Sequence, residues 1–154
     1  MKVSIYSRKN VEELLKNNFP DNTAVISFYD PTDKKGDSSY KSVDYLNKPV
    51  QLFQVAVHDA DLSYLPKCGL TYDTYFPEVD DLANFIYKAK EEGLDILCQC
   101  EYGESRSSAC AAAILEHFYQ QGLSIFTDYR YYPNQVIYHK IFDALNKLHK
   151  LKSR

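Results

Sequence analysis

The chain has 154 residues, of which 45% are hydrophobic, and this is enough for a single domain over residues 1–154 with a buried core. Its formal net charge of −3 gives no broad attraction to nucleic acid or to anionic membranes. No segment approaches the ~18 uninterrupted apolar residues of a membrane span, and residues 1–8 lack the apolar core of a signal peptide. We therefore expect a cytoplasmic protein with no nucleic-acid or membrane partner.

Apolar runs and helical periodicity alternate along the chain. In chain order they predict a strand at 3–6, a helix capped by Asn10 and running to about 17, strands at 24–28 and 52–57, a helix at 78–92, a strand at 96–98, and helices at 108–120 and 136–148. A polar loop is expected at 32–44 and an irregular segment at 63–77. Strands alternating with helices predict an α/β fold with a central, mostly parallel sheet of about four to five strands and helices on both faces.

The irregular segment is rich in tyrosine. Tyr64, Tyr72 and Tyr75 lie in it and are candidates for the wall of a pocket, although ordinary packing at the surface or in the core is the favoured explanation for each. The four cysteines, at positions 68, 98, 100 and 110, have no metal-ligand spacing. We expect free thiols and no metal or cofactor.

Residues 100–107 read C-E-Y-G-E-S-R-S and connect a predicted strand to a predicted helix. A tight loop entering a helix N-terminus directs unpaired backbone N–H groups at an anion, and the helix dipole adds positive charge. Such a cradle stabilises the thiolate of Cys100, while the planar guanidinium of Arg106 can hold two phosphate oxygens. Gly103 tolerates the positive φ that a tight loop needs, and the Ser107 hydroxyl can donate to the sulfur. The predicted phosphate-binding residues are Glu101, Tyr102, Gly103, Glu104, Ser105 and Arg106.

This C-x-x-G-x-x-R-S pattern resembles the active-site loop of the cysteine-dependent protein tyrosine phosphatases, particularly the small dual-specificity branch. The resemblance extends over about residues 24–148, because His58-Asp59 ends an apolar segment and Tyr132-Pro133-Asn134 opens the last helix, as in that family. It implies a phosphatase-type phosphate loop and hydrolysis of phosphotyrosine, with phosphoserine and phosphothreonine as further candidates. In this family a histidine that orders the loop and tunes the thiol usually precedes the cysteine, and this chain has Gln99 there instead.

The leaving oxygen of a phosphate ester needs a proton, so a general acid must lie across the pocket from Cys100. Asp59 is the first choice, because it follows the strand at 52–57 and parallel strands end at the same sheet edge. Asp61 is the close rival, and Asp73 and Asp80 are outside candidates. Cys100, Arg106, Asp59 and Ser107 are the predicted catalytic residues.

Two glutamates, Glu101 and Glu104, are expected at the rim of the loop. Their charge disfavours polyanionic ligands such as inositol lipids or RNA triphosphate ends, and favours a phosphorylated peptide or protein. Rhodanese-like sulfurtransferases place Gly and Arg-Ser differently, and low-molecular-weight phosphatases carry their loop directly after the first strand. The remaining alternative is a non-catalytic module that binds phosphate or another oxyanion without turnover.

Overall fold

The computed structural model describes residues 1–31 and 40–153. In these residues the sheet consists of four parallel strands: β1 (Val3–Ser7), β2 (Thr23–Tyr29), β3 (Gln51–Ala56) and β4 (Asp95–Cys100). Their order across the sheet is β1-β4-β2-β3. β4 is therefore an inner strand, and Cys98 is in register with Ile5 on one side and Ile26 on the other.

The helices are α1 (Arg8–Lys16), α2 (Val79–Glu91), α3 (Arg106–Tyr119), α4 (Leu123–Phe126) and α5 (Gln135–Lys152), and a short 3-10 helix spans Leu65–Cys68. Side chains alternate across β2: Ile26 packs toward α2, α3 and α5, whereas Val25 packs toward α1. Six of the seven residues of β2 are buried, because both faces of this strand are covered. The α/β fold with a parallel sheet and helices on both faces is thus confirmed.

Several boundaries differ from the sequence-based expectation. α1 begins at Arg8, and its N-cap is Ser7, whose hydroxyl accepts a hydrogen bond from the Asn10 amide. The predicted cap at Asn10 was wrong, because Ser7 ends β1 directly against the helix and leaves no connecting loop. The predicted polar loop at 32–44 falls mostly on residues 32–39, which lie outside the described residues.

No helix in the described ranges is long and apolar enough to cross a membrane. The cytoplasmic location remains a prediction.

Candidate active site

The carboxyl ends of the four strands gather the polar residues of the site. β1 is followed by Arg8, β2 by Asp30 and β4 by residues 101–105, which we call the 101–105 loop. Asp59 lies three residues beyond the end of β3. Ligands bind at this edge of parallel sheets, so the topology brings these groups to one place.

Carbonyl groups of the 101–105 loop are turned outward onto neighbouring donors. The Arg8 amide donates to the Glu101 carbonyl at 3.0 Å. The amides of Tyr132 and Asn134 donate to the carbonyls of Glu104 and Ser105, at 2.8 and 3.2 Å. Residues 132–134 thereby run alongside the loop and fix it from the α5 side.

The N–H groups of the same loop are not used in this way. Within the described residues, none of the backbone amides of residues 101–105 donates to a protein acceptor. The loop then enters α3, whose first turn adds further free amides and the positive end of the helix dipole. Outward carbonyls and unused amides are the arrangement that an oxyanion site requires.

Cys100 lies at the base of this loop, as the last residue of β4, and is 2% exposed. Its Sγ is 3.0 Å from the Oγ of Ser107 in the first turn of α3. Ser107 is itself fully buried. A hydroxyl at this distance can stabilise a negative charge on sulfur by donating its proton.

Gln99 connects Cys100 to the opposite face of the sheet. Its Oε1 accepts hydrogen bonds from the Tyr45 hydroxyl at 2.7 Å and from the Ser27 hydroxyl, and its Nε2 donates to the Cys100 carbonyl at 2.9 Å. All three side chains are buried, and burial raises the pKa of Tyr45 so that it stays a neutral donor. Gln99 therefore fixes the start of the loop without an ionisable group.

Arg106 is buried beneath the loop, with its guanidinium anchored at one end. Its Nη1 donates to Asp30 Oδ1 at 2.6 Å and to the Val57 carbonyl at 2.9 Å. Its Nε is also buried, yet it has no partner among the described residues. A buried donor without an acceptor is costly, and an oxyanion in the loop would satisfy it.

Asp59 is tied to the 101–105 loop through one oxygen. Asp59 Oδ1 accepts from Ser105 Oγ at 2.7 Å and from Asn134 Nδ2 at 2.9 Å. Asn134 also caps α5, because its Oδ1 accepts from the Ile137 amide at 2.9 Å. The carboxyl is thus positioned beside the loop, while Oδ2 accepts no hydrogen bond from the described residues.

The rival carboxylate, Asp61, is occupied by its own turn. Its Oδ1 accepts from Ser63 Oγ at 2.6 Å and from the Tyr64 amide at 2.9 Å. These hydrogen bonds, led by that of Ser63, lower the pKa of Asp61. A carboxyl held in its charged form is poorly suited to donating a proton.

Of the candidate tyrosines, Tyr75 is part of the core rather than of a pocket wall. It is 1% exposed, and its hydroxyl donates to the His58 carbonyl, so it supports the segment that carries Asp59. Tyr72 lines an open groove next to Asp59 and Asp61.

The two rim glutamates have different surroundings. Glu104 is exposed, but Glu101 forms an ion pair with Arg8 at 2.8 Å, and both of these side chains are mostly buried. The expectation that both glutamates face outward therefore holds for Glu104 alone. Tyr102, between them, is 78% exposed and stands at the rim.

The residues that support the loop from a distance had not been assigned a role from the sequence. Asp30 pairs with Arg106, Ser27 and Tyr45 orient Gln99, and Asn134 holds Asp59. Asp30 had a detectable signal, since it follows a buried parallel strand just as Asp59 does. Tyr45 had none, because it follows a polar segment with no periodicity.

No protein-family model matches the sequence. No curated protein sequence matches it significantly either.

Solved structures do resemble the chain. Human DUSP28 has 11% sequence identity and a TM-score of 0.54, with 97% of this chain and 94% of that chain covered. The human tyrosine phosphatase-like serine/threonine/tyrosine-interacting protein has 14% identity and a TM-score of 0.54, with 96% and 87% covered. A mouse putative dual specificity phosphatase complexed with zinc tungstate has 13% identity and a TM-score of 0.55, with 97% and 86% covered. Over nearly its whole length, this chain has the fold of the small dual-specificity members of the protein tyrosine phosphatase superfamily.

Proposed function

We propose that the chain is a protein tyrosine phosphatase of the dual-specificity type, which hydrolyses phosphotyrosine, and phosphoserine or phosphothreonine, through a cysteinyl-phosphate intermediate. The observation that carries the proposal is the meeting of a nucleophile and an acid at one loop. The Cys100 thiol lies 3.0 Å from the Ser107 hydroxyl, and the Asp59 carboxyl is bonded to Ser105 of the same loop. A module that only binds phosphate needs the loop but not the thiol or the acid.

In the first step, the Cys100 thiolate attacks phosphorus and its electron pair forms an S–P bond. The bond between phosphorus and the ester oxygen breaks, and protonated Asp59 gives its proton to that oxygen through the unbonded Oδ2. The three other phosphoryl oxygens carry the charge. They are held by the unused amides of the 101–105 loop and by the Nε of Arg106.

In the second step, a water molecule attacks phosphorus and Asp59, now a carboxylate, takes its proton. The S–P bond breaks and its electron pair returns to sulfur. The Ser107 hydroxyl donates to the leaving thiolate and makes this departure easier. Inorganic phosphate and the starting form of the site result.

The proposed substrate class follows from the charges at the rim of the loop. Glu104 is the exposed rim glutamate, since Arg8 offsets the charge of Glu101. Asp61 adds negative charge beside Asp59. We therefore propose a phosphorylated peptide or protein as partner, rather than a polyanionic lipid or nucleic acid.

Hydrolysis of p-nitrophenyl phosphate by the wild type and by Cys100→Ser tests the proposal. We expect wild-type activity that vanadate inhibits and that EDTA leaves intact, because Arg106 and backbone amides neutralise the phosphoryl charge. Cys100→Ser should lower kcat by roughly 10³-fold or more, as expected for a lost nucleophile. Cys68→Ser is the matched control, since Cys68 is a free cysteine in the 3-10 helix and not part of the loop, and it should keep its activity.

Two results would contradict the proposal. Activity retained in Cys100→Ser would remove the nucleophile assignment. An inactive wild type that still binds phosphate or vanadate would identify the chain as a non-catalytic phosphate-binding module.

A further inference from the structure

A groove of about 950 Å³ opens beside the 101–105 loop, between the segment that follows β3 and the first turns of α5. We call it the α5 groove. Its lining includes Asp59 and Asp61 on one side and Val136 and Asp143 of α5 on the other. Its volume is that of a site for several side chains rather than for a single ion.

The α5 groove is continuous with the candidate active site. Asp59 and Ser105 line the groove, and the hydrogen bond between them also joins the acid to the 101–105 loop. Asn134 lines it as well and is bonded to Asp59. A peptide with its phosphate in the loop therefore has an adjoining residue at the entrance of this groove.

The groove is acidic, whereas the loop offers N–H donors to an anion. Besides Asp59, the proposed proton donor, two carboxylates line the groove, those of Asp61 and Asp143, and its described lining contains neither Lys nor Arg. Two lysines of α5 lie nearby: Lys140 Nζ donates to the Tyr72 carbonyl at 2.9 Å and lies 4.7 Å from the centre of the Tyr72 ring, and Lys147 Nζ lies 3.5 Å from Asp80. Neither lysine is among the described residues that line the groove. Asp143 is exposed and forms no ion pair with the described residues.

Apolar surface accompanies these carboxylates. Leu62 is 61% exposed and Tyr72 is 38% exposed, and both line the groove. An arginine or lysine side chain combines an apolar stem with a charged end, and this combination matches the lining.

We propose that the α5 groove binds a basic residue next to the phosphorylated residue of the substrate, so that the chain selects phosphopeptides with a flanking arginine or lysine. The inference rests on the proposed function only in placing the substrate phosphate in the 101–105 loop. The loop then binds the phosphate group of the substrate, and the groove binds the flanking basic side chain.

Binding to the Cys100→Ser protein tests this, because it needs no turnover. Three labelled phosphotyrosine peptides that differ only at the flanking positions, with arginine, alanine or glutamate there, are compared by fluorescence anisotropy at low salt. We expect the arginine peptide to bind several-fold more tightly than the alanine peptide, and the glutamate peptide to bind most weakly. Asp61→Asn/Asp143→Asn should reduce the preference for arginine by about two- to fivefold per carboxylate removed, as for partly exposed ion pairs.

Asp21→Asn is the matched control. It removes one negative charge from the opposite edge of the sheet, just before β2, and should leave the preference intact. Asn at position 61 can still accept the hydrogen bonds of Ser63 and Tyr64, so the turn is kept. Equal affinity for the three peptides, no detectable binding of any of them, or a preference that Asp61→Asn/Asp143→Asn does not change would each overturn the proposal. Equally tight binding of an unphosphorylated arginine peptide would do so too.

Hydrolysis of p-nitrophenyl phosphate by the wild type separates the two proposals, because this substrate has no flanking residue. An inactive wild type together with a preference for the arginine peptide would contradict the proposed phosphatase activity and support the proposed role of the groove. An active wild type without that preference would support the proposed phosphatase activity and contradict the proposed role of the groove.

Discussion

Gln99 illustrates how hydrogen-bond direction can position a reactive loop without a charge. Two hydroxyl groups, those of Ser27 and Tyr45, donate to its Oε1, and this orients its Nε2 toward the Cys100 carbonyl. A hydroxyl can rotate to donate, whereas the amide NH₂ can only donate, so the pattern permits one orientation of the amide. Gln99, directly before Cys100, therefore orders the start of the loop although it is not a histidine.

Replacement of Asp59, the proposed general acid, separates acid catalysis from binding. We expect Asp59→Asn to lower kcat on a phosphotyrosine peptide by about 10²-fold, because the poor leaving group departs without a proton. KM should change little, since asparagine can still accept from Ser105 and Asn134 and preserve the loop. Steady-state kinetics at fixed pH gives both values.

Asp73→Asn serves as the control for this prediction, because Asp73 is an exposed carboxylate in the irregular segment. It should retain the wild-type kcat. If Asp61→Asn lowered kcat more than Asp59→Asn, the role of acid would pass to Asp61 despite the hydrogen bonds that hold it charged.

At the residue scale, the sequence predicted the groups that carry the proposed chemistry better than the groups that support them. Cys100, Arg106 and Ser107 lie within one local motif whose spacing alone brings them together. Asp30 and Gln99 act through contacts between segments far apart in the chain, and Arg106 and Asp30 are separated by 76 positions. Such contacts depend on strand order, and no local motif encodes it, although the place of Asp30 directly after a buried strand was a signal.

Gly103 couples the 101–105 loop to the first strand. It has a φ of +69°, and a Cβ added there would lie 2.8 Å from the Ser7 amide nitrogen. Backbone atoms cannot move away as a flexible side chain can, so the loop itself would have to shift. We expect Gly103→Ala to lower stability by about 1–3 kcal/mol and to lower kcat roughly 10- to 100-fold. Urea unfolding and steady-state kinetics measure the two effects.

Gly93→Ala isolates the part of this effect that comes from backbone strain alone. Gly93 has a φ of +71°, but a Cβ there would meet nothing within 4 Å. Only the backbone strain of about 1 kcal/mol should appear, and kcat should be unchanged. Equal losses in the two variants would mean that φ alone, and not the contact with β1, makes glycine necessary in the loop.

At the element scale, the alternation of strands and helices was predictable because each strand is a short apolar run and each long helix has one apolar face. The residues at which the elements begin and end were harder to predict. α5 extends to Lys152, four residues beyond the predicted end, because polar residues continue a helix at little cost once its apolar face is packed. The N-cap of α1 depends on the end of β1, which apolar periodicity does not mark.

Across the whole molecule, the three helices on one face of the sheet meet at a half-buried histidine. His117 of α3 lies within hydrogen-bond distance of Tyr87 of α2 and Asn146 of α5: Nε2 is 2.6 Å from the Tyr87 hydroxyl, and Nδ1 is 2.8 Å from Asn146 Oδ1. Since Nδ1 donates to the amide oxygen, a neutral ring accepts at Nε2 from Tyr87. Neutral His117 thus accepts a hydrogen bond from Tyr87 of α2 and donates one to Asn146 of α5.

This cluster predicts a dependence of stability on pH. Desolvation by burial lowers the pKa of His117, and the nearby His149 lowers it further, while the hydrogen bond to Asn146 acts in the opposite direction. In the unfolded chain the pKa is about 6.5. As the pH falls below that value, the unfolded chain takes up a proton that the folded chain does not, so the free energy of unfolding decreases until the lower pKa of the folded state is reached.

We therefore expect the urea midpoint of the wild type to fall between pH 7.5 and pH 5.5, and we expect His117→Gln to show a smaller fall over the same interval. His139→Gln is the control, because His139 is exposed on α5. Its replacement should leave the fall in the urea midpoint between the two pH values as large as in the wild type. The overall stability of His117→Gln will be lower at pH 7.5, since the contacts to α2 and α5 are weakened. The change between the two pH values is therefore the informative quantity. A fall in His117→Gln as large as that of the wild type would mean that acid weakens the protein through other groups and that this helix junction does not respond to pH.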